Sequence, residues 1–233
     1  IWMNKFEPQA AIAHMAKATV FMGVPTLYVR LLAESALTPQ STAHMRLFIS
    51  GSAPLLKETF DEFRRRTGHT ILERYGMTEG GMFTSNPYDG DRRGGTVGFP
   101  LPGMAVKITD DDGRSLPTNT IGNILVKGAN VFVGYWRMPE KTKEEFTADG
   151  FFKTGDMGKI DADGYVSIIG RSKDLIITGG MNVYPKEIEE MIDALPGVVE
   201  SAVIGLPHPD FGEAVTAVVV RQKSAAGTAL SEA

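Results

Sequence analysis

The sequence predicts a mixed α/β (α+β) fold: a mostly parallel sheet with helices, then an antiparallel β-rich part, then the start of a small α+β unit. Three patterns predict it. Strand-length apolar runs alternate with helical stripes through the first third of the chain. After Val97, Asp-Gly turns separate short strands, and beyond Gly170 an amphipathic helix is followed by two more strands.

Residues 8–18 are rich in Ala and Met and read as a helix, followed by the short apolar piece Thr19-Val20-Phe21-Met22. Pro25 suits a first helical turn, and Val24, Leu27, Tyr28, Leu31 and Leu32 supply an i, i+3, i+4, i+7, i+8 stripe behind it. Arg46-Leu47-Phe48-Ile49-Ser50 reads as a buried strand stopping at Gly51. Pro54 is expected to open a helix with Leu56, Phe60 and Phe63 on one face, and Thr70 to Tyr75 forms the next strand. Strands are further expected at residues 105–109, 123–127, 159–160 and 165–169, with a helix starting near Pro139. After Leu175-Ile176-Ile177 and the pair Gly179-Gly180, a helix carries Ile188, Met191, Ile192 and Leu195 on one stripe and ends at Pro196-Gly197. Strands at 199–204 and 214–220 lead into a small-residue tail, Ser224-Ala225-Ala226-Gly227. The division expected is 1–96, α/β; 97–172, antiparallel β-rich; and 173–233, a small domain that is unfinished.

Composition excludes several function classes. With 233 residues, 24 Lys plus Arg against 28 Asp plus Glu and a net charge of −4, the chain lacks the basic surplus of a nucleic-acid binder. It has no cysteine, which removes disulfides, zinc thiolates and a cysteine nucleophile. No apolar run reaches the roughly 20 residues that span a bilayer, and a cytoplasmic location is expected. His14, His44, His69 and His208 read as structural, and Arg64-Arg65-Arg66 as a solvated helix end suited to the macrodipole.

Three motifs carry chemistry. In Tyr75-Gly76-Met77-Thr78-Glu79-Gly80-Gly81 a strand is expected to end at Tyr75, where glycines let backbone N–H groups face phosphate oxygens. Tyr75 offers a ring for a base, Thr78 a hydroxyl for phosphate, and Glu79 a hard oxygen for Mg²⁺. Asp156, in Lys153-Thr154-Gly155-Asp156 at an expected strand end, can take two ribose hydroxyls on its two oxygens. Gly170-Arg171-Ser172-Lys173-Asp174 brings two cations. Each motif alone also fits a plain polar turn.

Taken together with Ser50-Gly51-Ser52-Ala53-Pro54 and with the run from Gly179 to Glu189, their order and spacing resemble the acyl-adenylate-forming superfamily over essentially the whole chain. Met22-Gly23-Val24-Pro25-Thr26, residues 72–79, residues 86–91 and residues 134–142 are similar in particular to bacterial malonyl-CoA synthetases. The resemblance implies ATP, Mg²⁺ and coenzyme A as co-substrates and cofactor, with a small carboxylate as the other partner. It implies an adenine pocket walled by Gly51, Ser52, Ala53 and Pro54 with Glu73, Arg74 and Tyr75, continued by Gly76 and Met77. It puts Thr78 on the α-phosphate, Glu79 on Mg²⁺, Asp156 on the ribose and Arg171 near ribose and phosphate. Lys173 becomes a hinge for a small mobile domain, and Gly179 and Gly180 line the pantetheine channel. Arg30 is the candidate cation for the unreacted end of malonate, because its fork donates two hydrogen bonds to one carboxylate, with Ser52 and Met82 alongside. Two departures stand out: Gly80 and Gly81 replace the Thr that usually continues the malonate members' Thr-Glu, and Phe83 sits where a polar residue is common. Both are expected to loosen the turn and alter the acyl-pocket wall.

No segment matches the family's Gly- and Ser/Thr-rich phosphate loop, expected before Ile1, or its catalytic lysine, expected after Ala233. The expectation is an internal piece of a longer enzyme, without adenylating activity alone. A ligase for an aryl or medium-chain acid, and a nucleotide-binding module without catalysis, remain the alternatives. Oligomeric state is not legible.

Overall fold

The computed structural model describes residues 1–221, so the tail at 224–227 lies outside the described residues. The chain divides into two compact units, Ile1–Ile168 and Ile169–Ala233.

In the first unit, α1 (Pro8–Met15) and α2 (Pro25–Leu32) both begin at a proline, whose missing N–H is one that a first helical turn leaves unbonded anyway. Between them lies β1 (Val20–Gly23), and β2 (Leu47–Ser50) and β3 (Leu72–Met77) pair parallel beside it. Helix α3 (Lys57–Thr67) connects β2 to β3. The three helices bury Met15, Tyr28, Leu31 and Phe63 against Phe48 of the sheet. Rings meet edge-on there, Tyr28–Phe63 at 5.3 Å and Phe48–Phe63 at 4.8 Å, the geometry the ring quadrupole favours.

Three expectations need correction here. The third helix starts at Lys57 rather than Pro54: the buried Leu55 donates its N–H to Glu73 Oε1 at 3.0 Å, and Leu56 is still extended at the N-cap. The basic run is not simply solvated. Arg65 pairs with Glu62, while Arg66 reaches the carbonyl of Leu37 at 3.1 Å and also those of Leu32 and Glu34, satisfying acceptors at and beyond the end of α2. Nor does β3 end at Tyr75. It runs on to Met77, and Thr78-Glu79-Gly80 turns it into antiparallel β4 (Gly81–Ser85), which pairs with β5 (Phe99–Pro100) to complete a five-stranded sheet. Gly76 belongs to the hairpin rather than the turn: a Cβ there would lie 1.9 Å from Gly81 O.

The second sheet of this unit runs β6 (Ala105–Thr109), β7 (Gly122–Lys127), β8 (Phe152–Ile160), β9 (Val166–Arg171), with α4 (Pro139–Glu145) between β7 and β8. Its inward residues Ile108, Ile124, Val126 and Phe152 bury Phe83 of β4, so the two sheets share a core. Residues 94–98 are pinned, with Val97 and Gly98 exchanging 2.8 Å hydrogen bonds with Val166. Arg93 reinforces this join. Its guanidinium meets Asp91 at 2.9 Å and Asp163 at 2.8 Å and stacks 4.0 Å over the Tyr165 ring, contacts that hold it firmly protonated.

The second unit holds a four-stranded sheet, β11 (Met181–Val183), β10 (Ile176–Thr178), β13 (Gly212–Arg221), β12 (Val198–His208), with α5 (Pro185–Asp193) packed on β12. The stripe expected on α5 is split. Ile188 and Ile192 are half-buried, whereas Met191 and Leu195 are 74% and 56% exposed. The packed face is centred between Ile188 and Glu189, whose carboxylate accepts the Val203 N–H at 2.9 Å. That rotation leaves Met191 on the flank, and Leu195 lies past the helix end.

Candidate functional site

Strand β3 occupies the middle of the first sheet, so alternate side chains on it, Glu73 and Tyr75, share a face. Tyr75 donates its hydroxyl to Asp156 Oδ2, a residue 81 positions later in the chain. Asp156 is not at a strand end as expected. It sits within β8, 6% exposed, after Gly155 at φ +72°. Thr154 fixes its backbone: the Thr154 hydroxyl donates to Ile124 O at 2.8 Å and accepts the Asp156 N–H at 3.1 Å. Two residues singled out for nucleotide binding, one from each sheet, are thus in direct contact.

The loop Gly51-Ser52-Ala53-Pro54 leaves the end of β2 beside β3, close enough that a Cβ on Gly51 would lie 3.2 Å from Arg74 O. Ser52, Ala53 and Pro54 are exposed, and Ser52 takes φ +69°, a conformation that side chains adopt only when the surroundings impose it. Glu73 is 4% exposed and its Oε1 is engaged by Leu55 N–H, so its carboxylate anchors the far end of this loop. Asn86, 1% exposed, ties β3 to the following segment by donating to Glu73 O at 3.3 Å and Thr96 O at 2.8 Å.

At the β3–β4 turn Thr78 is exposed and Glu79 half-buried. Tyr135 donates its hydroxyl to Glu79 Oε1 at 3.1 Å, and burial, followed by that carboxylate, pushes the phenol up to about 12. It is therefore a protonated donor at neutral pH. Among the described residues Glu79 forms no salt bridge, and no group of three or more His, Cys, Asp or Glu gathers to cage a metal. One carboxylate without a cage fits Mg²⁺, which takes one or two carboxylates and draws its remaining ligands from water and phosphate oxygens.

The departures at 80 and 83 are coupled, and Phe83 is not a pocket wall. It is fully buried in the core shared by the two sheets, its ring 5.6 Å from that of Tyr75. A Cβ on Gly80 would come 2.3 Å from Phe83 Cε1, so a bare position 80 is what admits the ring. Gly81 sits at φ +67°, where glycine is the unstrained choice.

Arg30 is exposed in the last turn of α2 and shares no hydrogen bond with Ser52 among the described residues; Met82 is 36% exposed on β4. Arg171, Lys173, Gly179 and Gly180 belong to the second unit. Arg171 ends β9, and Lys173 lies exposed in the single 3₁₀ turn Ser172–Asp174. Gly179 and Gly180, at φ +56° and +80°, form the two-residue link between β10 and β11, which demands left-handed backbone at both positions. Sequence reasoning gave no role to Asn130, Tyr135 or Thr154. Their carbonyl and carboxylate partners lie 30 to 56 residues away, although Tyr135 and Thr154 stood within runs that carried the family likeness.

No helix among the described residues is long and apolar enough to cross a membrane. Residues 2–136 match the model of the AMP-binding enzyme family, and residues 187–233 that of the AMP-binding enzyme C-terminal domain. The chain is 45% identical over 211 residues to a probable CoA ligase, CCL8, of Humulus lupulus, covering 87% of this chain and 35% of that protein. It is also 45% identical over 216 residues to a malonate–CoA ligase of Arabidopsis thaliana, covering 89% and 35%. The crystal structure of ATP-bound MatB from Rhodopseudomonas palustris superposes with a TM-score of 0.95 at 65% identity, over 98% of this chain and 46% of that one. The chain thus spans between a third and a half of the length of the relatives it matches. Matched family models along most of its length, and a mixed α/β architecture shared with ATP-bound MatB, make this chain a member of the AMP-binding enzyme family.

Proposed function

We propose that this chain is part of an AMP-forming acid–thiol ligase that activates malonate or methylmalonate with Mg·ATP and transfers the acyl group to coenzyme A. The contact between Tyr75 and Asp156 carries the reading, because it joins a ring suited to a base and a carboxylate suited to a ribose at one place. In the first half-reaction a carboxylate oxygen attacks the α-phosphorus and the bond to pyrophosphate breaks. In the second, the CoA sulfur attacks the acyl carbon and AMP leaves. Asp156 holds the ribose hydroxyls, Tyr75 stacks on adenine beside the 51–54 loop, and Thr78 donates to the α-phosphate. Glu79 holds Mg²⁺, which when bound neutralises charge on the phosphate oxygens. Arg171 serves ribose and phosphate, Lys173 is the hinge of a small mobile domain over 173–233, and Gly179 and Gly180 line the pantetheine path. Partners are small molecules, not nucleic acid or membrane, and the cysteine-free composition supports a cytoplasmic location.

Malonate is supported by similarity to the Arabidopsis thaliana malonate–CoA ligase and by Arg30, whose fork suits the unreacted carboxylate. The test is carboxylate-dependent ATP–pyrophosphate exchange by the full-length protein with malonate, methylmalonate, acetate and benzoate. Exchange is expected with the first two. Arg30→Ala is expected to cut the preference for malonate over acetate by about tenfold to a hundredfold, the worth of one charge-assisted hydrogen bond. Faster exchange with benzoate or acetate contradicts the malonate assignment, and no exchange with any acid contradicts the ligase.

A further inference from the structure

The turn that carries Glu79 is held mainly from outside itself. Its own hydrogen bond is Gly80 N–H to Met77 O at 3.1 Å. The segment after β7 adds four more. Asn130 donates from its side-chain amide to Gly80 O at 2.6 Å and to Met82 O at 3.1 Å. Phe132 N–H donates to Glu79 O at 2.7 Å, and the Tyr135 hydroxyl donates to Glu79 Oε1 at 3.1 Å.

This segment is itself firmly seated. The Phe132 ring meets Phe152 edge-on at 5.2 Å and Tyr135 at 4.8 Å. Tyr135 N–H donates to the Thr142 hydroxyl of α4 at 2.9 Å, and Gly134 permits that approach, since a Cβ there would lie 2.5 Å from Thr142 Cγ2. The clamped turn, by contrast, is permissive: Gly80 has no side chain and Gly81 stands at φ +67°. A carboxylate on such a turn has many orientations unless something outside selects one.

We propose that Tyr135 and Asn130 are positioning residues for Glu79: Asn130 sets the path of the turn, and Tyr135 holds Oε1 so that the carboxylate presents Oε2 to the divalent cation. The inference rests on Glu79 being the Mg²⁺ ligand, and it adds residues that touch neither nucleotide nor metal. It also accounts for how two glycines beside Glu79 are tolerated, because order lost within the turn is restored across the gap to β7.

The test uses the full-length protein and Mn²⁺ as a paramagnetic probe for Mg²⁺, titrated at saturating ATP and followed by electron paramagnetic resonance. Metal-free AMP binding in EDTA is the control for a merely structural role. Tyr135→Phe is expected to weaken Mn²⁺ by about threefold to tenfold, the range for one hydrogen bond, with AMP binding in EDTA unchanged. Asn130→Ala is expected to act in the same direction, which keeps the test open if one variant folds poorly. Glu79→Gln should weaken Mn²⁺ more than either. If Glu79→Gln weakens Mn²⁺ but Tyr135→Phe and Asn130→Ala do not, the positioning role is wrong and the ligand assignment stands. If Glu79→Gln binds Mn²⁺ as the parent does, the ligand assignment fails and takes this inference with it. Equal loss of Mn²⁺ and metal-free AMP binding in Tyr135→Phe also overturns the proposal, since it marks a general structural effect.

Discussion

Position 80 shows how a single missing methyl shapes the site. Phe83 fills the space that a side chain at 80 would need, and its ring then packs edge-to-face with Tyr75, which in turn donates to Asp156. A change at 80 therefore reaches the proposed nucleotide contact through one intervening ring. Gly80→Ala is expected to destabilise the protein by about 1–3 kcal/mol through overpacking, and Phe83→Leu by about 1 kcal/mol or somewhat more. Combined, they should cost less than their sum by about 1 kcal/mol or more, because the shorter side chain makes room for the new methyl. Denaturant unfolding of the two single variants and the double variant checks this, and simple additivity contradicts the coupling. Tyr75, Glu79 and Asp156 could be singled out in the sequence only through the joint order and spacing of their motifs, since each motif alone also fits a plain polar turn. Tyr135 and Asn130 were not, since a phenol or amide whose partner lies 56 or 50 residues away leaves no periodic trace.

Among the elements, those with clear local punctuation were read well. Pro25 marked the start of α2 and Pro139 that of α4. Pro54 misled for a physical reason: a proline can open a helix, but here Glu73 captures the Leu55 N–H and the chain is still extended at Leu56. The hairpin at β3–β4 was missed because Gly76 reads as a turn signal, while its actual service is to let Gly81 O approach a strand. The basic run on α3 likewise conceals a long-range role. Arg66 donates to carbonyls of Leu32, Glu34 and Leu37, at the end of α2 and just beyond, and Glu34 O accepts the Leu37 N–H as well. Arg66→Ala is expected to lower stability by about 1.5–3 kcal/mol, the range for hydrogen bonds to a charged group. Lysine at this position should recover little, since one ammonium lacks the planar fork that spans three carbonyls. Urea unfolding of the full-length protein reads both, and a midpoint unchanged in Arg66→Ala contradicts the cap.

For the molecule as a whole, the first unit is two sheets joined along one seam, and the proposed nucleotide site lies on that seam. Phe83 enters the core of the second sheet, Val97 and Gly98 pair with Val166, and Arg93 binds Asp91 on one side and Asp163 on the other. These joins bring β3 and β8 to one place, so that Tyr75 meets Asp156 directly. The alternation of strands and helices foretold the two kinds of sheet, but nothing periodic in the sequence could state which faces meet. The claim that this meeting point binds a nucleotide is tested most directly by calorimetric titration of the full-length protein with AMP and with 2′,3′-dideoxy-AMP. The parent should favour AMP by about tenfold or more, and Asp156→Asn should lose most of that preference, since a neutral amide accepts ribose hydroxyls far more weakly than a carboxylate. An Asp156→Asn protein that binds AMP as tightly as the parent, and still discriminates against the dideoxy compound to the same degree, would contradict the account.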